Sequence, residues 1–522
     1  MNNAADAAPA GSQASGSIRS LDDLPGPKGL PLLGNALELE PKQLHRLIGG
    51  WADQFGPMFV FRVATKKILT IADAEVIQQV LRERPERFRR WSKIEELGAE
   101  IGADGVFVAE GEKWRRQRKA VMYALNASHV RAFIPRMEEV VGRLRRRWWR
   151  SALSGAPVDV LHDLMRLTVD VTSGLAFGRD INTLEERAEP IQKHLDKLLP
   201  AVARRQTALL PYWRFLPVPV EREVAVAVKE IGKFIDGLVA EARVRLEAEP
   251  ERRAHPQNLL EALIVAHDAD PDSTDDREIP GNVTTLLLAG EDTTANTLTY
   301  MIHYLKERPD VQTAVQSEVD RVFGMEEQQW QDPNVSDRLH YIEAFANETM
   351  RCKPVGGLLF MEPNEDVQIR GVFVPRGTPV LVLNGHVGSQ EGNFADAKAF
   401  RPERWLHAAA HPGELHNTKA FMPFGAGPRF CPGRQLAMLQ IKMVIAMLCR
   451  DFEVAHPTDA APLEDAYGFT VGPTNVAAVL RPRRSLRFGV DLDLRVGDRR
   501  ADRLPISFAD RRVADRRGAQ AA

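Results

Sequence analysis

Cysteine is scarce in this 522-residue chain: Cys352, Cys431 and Cys449 are the only three. Three cannot build a disulfide framework, and none stands in the paired C-x-x-C spacing of a zinc site, which fits a reducing compartment. Long apolar runs are missing as well. No uninterrupted stretch approaches the roughly 20 residues that span a bilayer, and the N-terminal end lacks the basic start and apolar run of a signal peptide. Charge of one sign is also lacking. The formal net charge is −2, so no global field recruits nucleic acid or an anionic membrane. These absences lead us to expect a cytoplasmic protein with no membrane anchor and no nucleic-acid partner.

What is present is ordinary globular material, 44% apolar and 27% charged, enough for one large core. Residues 1–24 begin in Ala, Ser, Gly and Asn and are expected to be a flexible tail. The Pro/Gly-dense stretch at 24–31 is too stiff for helix or sheet and leads into the fold. Two β-rich runs, 58–63 and 68–71, predict a hairpin. Helical periodicity then dominates, at 74–81, 113–125, 129–149, 160–176, 224–246, 283–306 and 311–323. β-rich pieces return at 355–361, 367–369, 379–383 and 469–480. The expectation is a mainly α fold with a minor β-sheet drawn from both ends. Such pairing of distant segments argues for a single domain over 25–482. The polar tail at 483–522 alternates Arg and Asp.

The most informative segment is Phe424-Gly425-Ala426-Gly427-Pro428-Arg429-Phe430-Cys431-Pro432-Gly433, which runs into the apolar stretch 436–448. Cys431 sits at the junction of a glycine-rich loop and a buried helix. There the helix dipole and free N–H groups favour an anion, so a lowered thiol pKa and a thiolate are expected. The glycines permit tight turns and close backbone approach to a flat ligand. Cys352 and Cys449 have no such surroundings and read as core residues. His407, His411 and His416 lie in a stretch of loop composition and read as polar loop.

This segment matches F-x-x-G-x-R-x-C-x-G, the haem-binding signature of the cytochrome P450 family, at every specified position. The chain therefore resembles that family over 25–482. The resemblance implies haem b with Cys431 as axial ligand to the iron, a long helix over the distal face and the cysteine loop on the proximal side. Phe424, Gly425 and Gly433 then belong to the haem pocket. Ala289-Gly290-Glu291-Asp292-Thr293-Thr294 looks like the distal helix, with Ala289 and Gly290 letting it approach the porphyrin. Asp292 and Thr293 match the family's acid-alcohol pair, which delivers protons to oxygen, and Glu291 is expected to point away. The Thr293 hydroxyl can bond a carbonyl one turn back. Trp114 and Arg118 match a W-x-x-x-R pattern that contacts one haem propionate, and Arg429 is expected on the other.

The resemblance also pairs Glu348 and Arg351 with Arg404 in a structural network, and Trp405 stands where phenylalanine is commoner, read as a change of aromatic only. It implies a monooxygenase that inserts one oxygen atom of O2 into a small or medium hydrophobic substrate. Electrons would come from NAD(P)H through a separate ferredoxin or flavodoxin and its reductase. Lys113, Arg115, Arg116 and Lys119 offer a basic patch for such a donor. A peroxide-driven peroxygenase and a non-catalytic haem sensor are the rival readings; Asp292-Thr293 argues against the first, and no output domain is visible for the second. The distal pocket is expected from 91–106, 199–215, 286–293, 355–360 and 468–471. The Arg and Ala content points to a bacterial source.

Overall fold

The structure is a computed structural model that describes residues 18–483 apart from 186–189, 209, 217, 270–276, 325–329, 331, 333, 407–413 and 459–460. Two buried helices form its axis. Helix Val160–Phe177 starts where the Asp159 side chain accepts the His162 N–H and stops at Gly178, whose left-handed φ of 67° suits glycine. Its apolar residues face several sides (Leu164, Leu167, Val169, Val171 and Leu175 are all buried), so it lies inside the molecule and not on its surface. Helix Glu278–Glu307, 30 residues or roughly 45 Å long, packs along it. Helix Arg434–Asp451 follows Gly433 and is buried almost continuously from Leu439 to Cys449. Helix His340–Cys352 and helix Gly111–Ala124 complete the frame around the cavity described below.

The largest sheet has five strands in the order Met58–Val63, Lys66–Ile71, Val380–Val382, Leu359–Pro363 and Phe88–Arg90. The first two form the expected hairpin, in antiparallel register from Met58 opposite Ile71 to Val63 opposite Lys66. The Lys66–Ile71 strand pairs parallel with Val380–Val382, and the remaining pairs are antiparallel. Strand Ala477–Pro482 joins Val158–Asp159 to Phe452–Ala455 in a separate sheet. Residues far apart in sequence therefore meet in both sheets.

Several boundaries differ from expectation. The flexible tail cannot reach residue 24, because the Arg19 N–H donates to the Gly371 carbonyl at 2.9 Å and Leu21 is buried. The helix expected at 129–149 is two helices, Ala127–Ala132 and Ile134–Ser154, the second with Pro135 in its first turn. Proline lacks the N–H that would continue the first helix through that point. Strand Phe88–Arg90 was not foreseen: three residues carry no usable alternation. Of the C-terminal tail only Arg483 is described, and its N–H donates to the Asp451 carbonyl at 2.9 Å.

Candidate active site

A cavity of about 350 Å3 separates helix Glu278–Glu307 from the cysteine loop. Leu286, Ala289, Gly290 and Thr293 line it from the helix; Phe424, Gly425, Cys431 and Gly433 line it from the loop. The loop turns twice through left-handed glycines, Gly425 at φ 71° and Gly427 at φ 69°. A Cβ on Gly427 would come within 2.3 Å of the Leu81 carbonyl oxygen, so that glycine lets the loop seat on helix Ala74–Arg82. Nothing lies within 4 Å of where a Gly425 Cβ would be.

The Cys431 N–H donates to the Phe424 carbonyl at 2.8 Å, and Sγ receives the N–H groups of Gly433 and Arg434. Burial outweighs those donors and the nearby Arg118, pushing the thiol up from its ordinary range. This corrects the expected lowering: the helix start alone does not ionise this cysteine. A coordinated metal ion would, because its charge favours the deprotonated thiol.

Basic side chains share the lining. The Arg429 guanidinium pairs with Glu110, donates to the Ala109 carbonyl and lies 4.9 Å from the Trp114 ring centre. Arg118 donates to the Phe430 carbonyl at 2.6 Å. Arg84 and Arg90 also face the cavity, and neither was among the sequence candidates. Arg90 donates to the Phe107 carbonyl at 2.9 Å. Arg84 is 4% exposed, yet Nε and Nη2 have no protein partner. Burial and Arg429 depress its pKa to about 10. A buried cation with unpaired donors suits an anionic ligand group. Residues 82–90 read in sequence as a charged run, and nothing local marks Arg84 or Arg90 as buried.

This donor set fits haem b: one thiol in the lining of a cavity, a largely apolar helix face opposite, and the guanidinium groups of Arg84, Arg90, Arg118 and Arg429, of which Glu110 pairs with Arg429, for a ring that carries two propionates.

On the helix side, the Thr293 hydroxyl donates to the Ala289 carbonyl at 2.9 Å, one turn back as expected. Gly290 lines the cavity and also meets a neighbouring helix. A Cβ there would meet Thr172 Oγ1 at 2.3 Å, so its missing side chain admits the neighbouring helix Val160–Phe177. Glu291 is 4% exposed and accepts from Gln192. Burial, with Asp196 and Asp292 nearby, pushes its carboxyl well above the carboxylate range. Asp292 accepts from Asn296 Nδ2 at 2.8 Å and from the Thr470 hydroxyl, and it lines neither this cavity nor the next.

A second cavity of about 200 Å3 shares seven residues with the first, Arg90, Ala289, Thr293 and Leu359 among them. Ile94, Ile101, Leu199, Val202, Leu288 and Phe469 supply much of its wall. All five segments expected at the distal pocket contribute to it.

Behind the cysteine loop, Glu348 receives Arg351 at 2.7 and 2.8 Å, Arg404 at 3.0 Å and the Arg401 N–H at 2.8 Å. Trp405 Nε1 also donates to it at 2.9 Å. Phenylalanine has no such donor, so Trp405 is more than a change of aromatic. His407 and His411 lie outside the described residues, while His416 packs against Phe394 and Trp405. Among the described residues no helix is long and apolar enough to cross a membrane.

Comparison with known proteins gives one family. The profile of the Cytochrome P450 family matches residues 24–478. "Protein LUTEIN DEFICIENT 5, chloroplastic" of Arabidopsis thaliana is 28% identical over 430 residues, 80% of this chain and 71% of that one. The mitochondrial 25-hydroxyvitamin D-1 alpha hydroxylase of Homo sapiens is 28% identical over 90% of this chain and 92% of its own. A self-sufficient cytochrome P450 monooxygenase of Exserohilum turcicum is 26% identical over 90% of this chain, which covers 43% of that protein. These relatives are eukaryotic, and two carry an organelle in their names, so the expected bacterial source is not borne out.

Proposed function

The chain belongs to the cytochrome P450 family of haem b monooxygenases, and from that premise we propose how its own residues divide the work. Bound haem supplies oxygen activation, and a thiolate ligand favours O–O cleavage. Cys431 would hold the iron. Trp114, Arg118 and Arg429, joined by Arg84, would hold the carboxylates, which bidentate guanidinium groups suit. Phe424, Gly425, Gly433, Ala289 and Gly290 would enclose the ring.

Thr293 would pass a proton from its Oγ, and Asp292 would resupply it, the division of labour expected of general acid catalysis. The substrate is a small or medium hydrophobic molecule, hydroxylated or epoxidised in the second cavity. The observation that carries this reading is that the apolar cavity and the cysteine cavity meet at Ala289 and Thr293. A mostly apolar wall with a few polar groups, Arg90, Thr285 and Thr470 among them, suits an apolar body. Electrons would come from NAD(P)H through a separate ferredoxin or flavodoxin that docks near Arg115, Arg116 and Lys119.

The test is a binding-spectrum screen of the haem-loaded protein against a medium-chain fatty acid, a monoterpene, a steroid and a substituted benzene. Displacement of water by at least one of them, followed by oxygenated product with a ferredoxin-reductase pair, is the expected result. Product formed with hydrogen peroxide and not with reduced ferredoxin would favour a peroxygenase instead.

A further inference from the structure

Asp292 is not free to turn into the cysteine cavity. Its carboxylate is held from two directions, by Asn296 one turn further along the same helix and by Thr470 from a turn 178 residues away in sequence. Burial raises the Asp292 carboxyl, while the Thr470 and Asn296 donors pull it down. The turn that carries Thr470 has three properties that bear on the acid.

First, it is docked closely on the helix: a Cβ on Gly472 would fall 2.4 Å from Asn296 Oδ1. Second, its backbone is unusual. Phe469 has φ 86°, left-handed for a bulky residue, and the Gly468 N–H donates across the turn to the Thr470 carbonyl at 2.7 Å. Such a conformation is costly and persists only where the surroundings enforce it. Third, the turn is part of the substrate-side wall. Phe469 and Thr470 both line the apolar cavity, the Phe469 ring meets Phe107 edge-on at 5.8 Å, and the Val471 N–H donates to the Val355 carbonyl at 2.8 Å. A molecule in that cavity therefore lies against the same 468–471 turn that holds the acid.

We propose that Thr470 is a positioning residue: it holds Asp292 turned away from the cysteine cavity, and displacement of the 468–471 turn by an occupant of the apolar cavity releases it. The proposal rests on the reading of Asp292 as the proton-supplying acid. It gives the enzyme a reason to be slow without substrate, since protons reach oxygen only after the wall has moved. Thr470 acts through Asp292 and does not itself touch the reacting atoms.

The experiment uses substrate-free, haem-loaded protein and two readouts. One is the C–O stretch of the reduced protein bound to carbon monoxide, a probe of the distal environment that needs no turnover. The other is the rate at which the protein, reduced by a ferredoxin-reductase pair, consumes oxygen. Thr470→Val keeps the side-chain volume and removes the hydroxyl. It is expected to shift the C–O band and to raise substrate-free oxygen consumption about tenfold, the population change that loss of a hydrogen bond to a carboxylate would cause. Thr470→Ser is expected to match the parent in both, and Thr470→Ala, should the valine variant fold poorly, to behave like valine.

In an Asp292→Asn background Thr470→Val should add nothing. A parental band and rate in both Thr470→Val and Thr470→Ala would overturn the positioning role, as would an undiminished effect in the Asp292→Asn background. An Asp292→Asn protein that turns over at the parental rate would overturn the relay reading beneath it, which is a separate result.

Discussion

The cysteine loop and the distal helix face each other across one cavity but are built on different plans. The backbone groups that bond Cys431 come from nearby: the Gly433 and Arg434 N–H groups and the Phe424 carbonyl, all within seven positions in the chain. The acids opposite it depend on distant partners. Glu291 meets Gln192, 99 residues away, and Asp292 meets Thr470, 178 residues away. A site made from one contiguous stretch keeps its chemistry wherever that stretch folds. A site made from two adjacent acids that meet different partners has its chemistry decided by the elements packed against it.

Replacing Cys431 by alanine should break the comparison most completely: the iron loses its ligand and oxygenase activity falls to background, measured as product per haem. Glu348→Ala comes next. It leaves Arg351 and Arg404, with side chains 0% and 2% exposed, buried without their carboxylate. Loss of a partner in such a network costs about 3–5 kcal/mol, which chemical denaturation would read. The two acids should then separate sharply. Asp292→Asn should slow turnover about a hundredfold, the usual scale for removing a positioned general acid.

Glu291→Gln should change turnover less than about twofold, because its carboxyl is turned to Gln192 and lines neither cavity, and burial already favours the uncharged form that glutamine mimics. Equal losses in the two variants would erase the distinction drawn between them. Trp405→Phe is intermediate in stability and silent in chemistry, costing about 1–2 kcal/mol for one donor lost to a buried carboxylate.

The same contrast governs what could be read from the sequence. The haem segment, the helix carrying Ala289 to Thr294, and the five walls of the distal pocket were legible because each is a string of neighbouring residues with a fixed pattern. Arg84 was not, since its meaning depends on Arg429 and the cavity lying against it. A second purpose of Gly290, admitting Thr172 of another helix, is hidden for a similar reason. Trp405 was underread because a hydrogen bond to Glu348 spans 57 positions. Strand Phe88–Arg90 exists only because Leu359–Pro363 lies beside it. Local patterns identified the chemistry, and tertiary packing decided how it is held.

Every role assigned above depends on Cys431 ligating the haem iron as a thiolate. The most direct measurement is the absorption spectrum of the reduced protein before and after carbon monoxide is added. The red-shifted Soret band characteristic of thiolate ligation is expected in the parent protein and is expected to disappear in Cys431→His. A parent spectrum of the histidine-ligated type, or a protein that takes up haem equally well and shows the same band without Cys431, would contradict it.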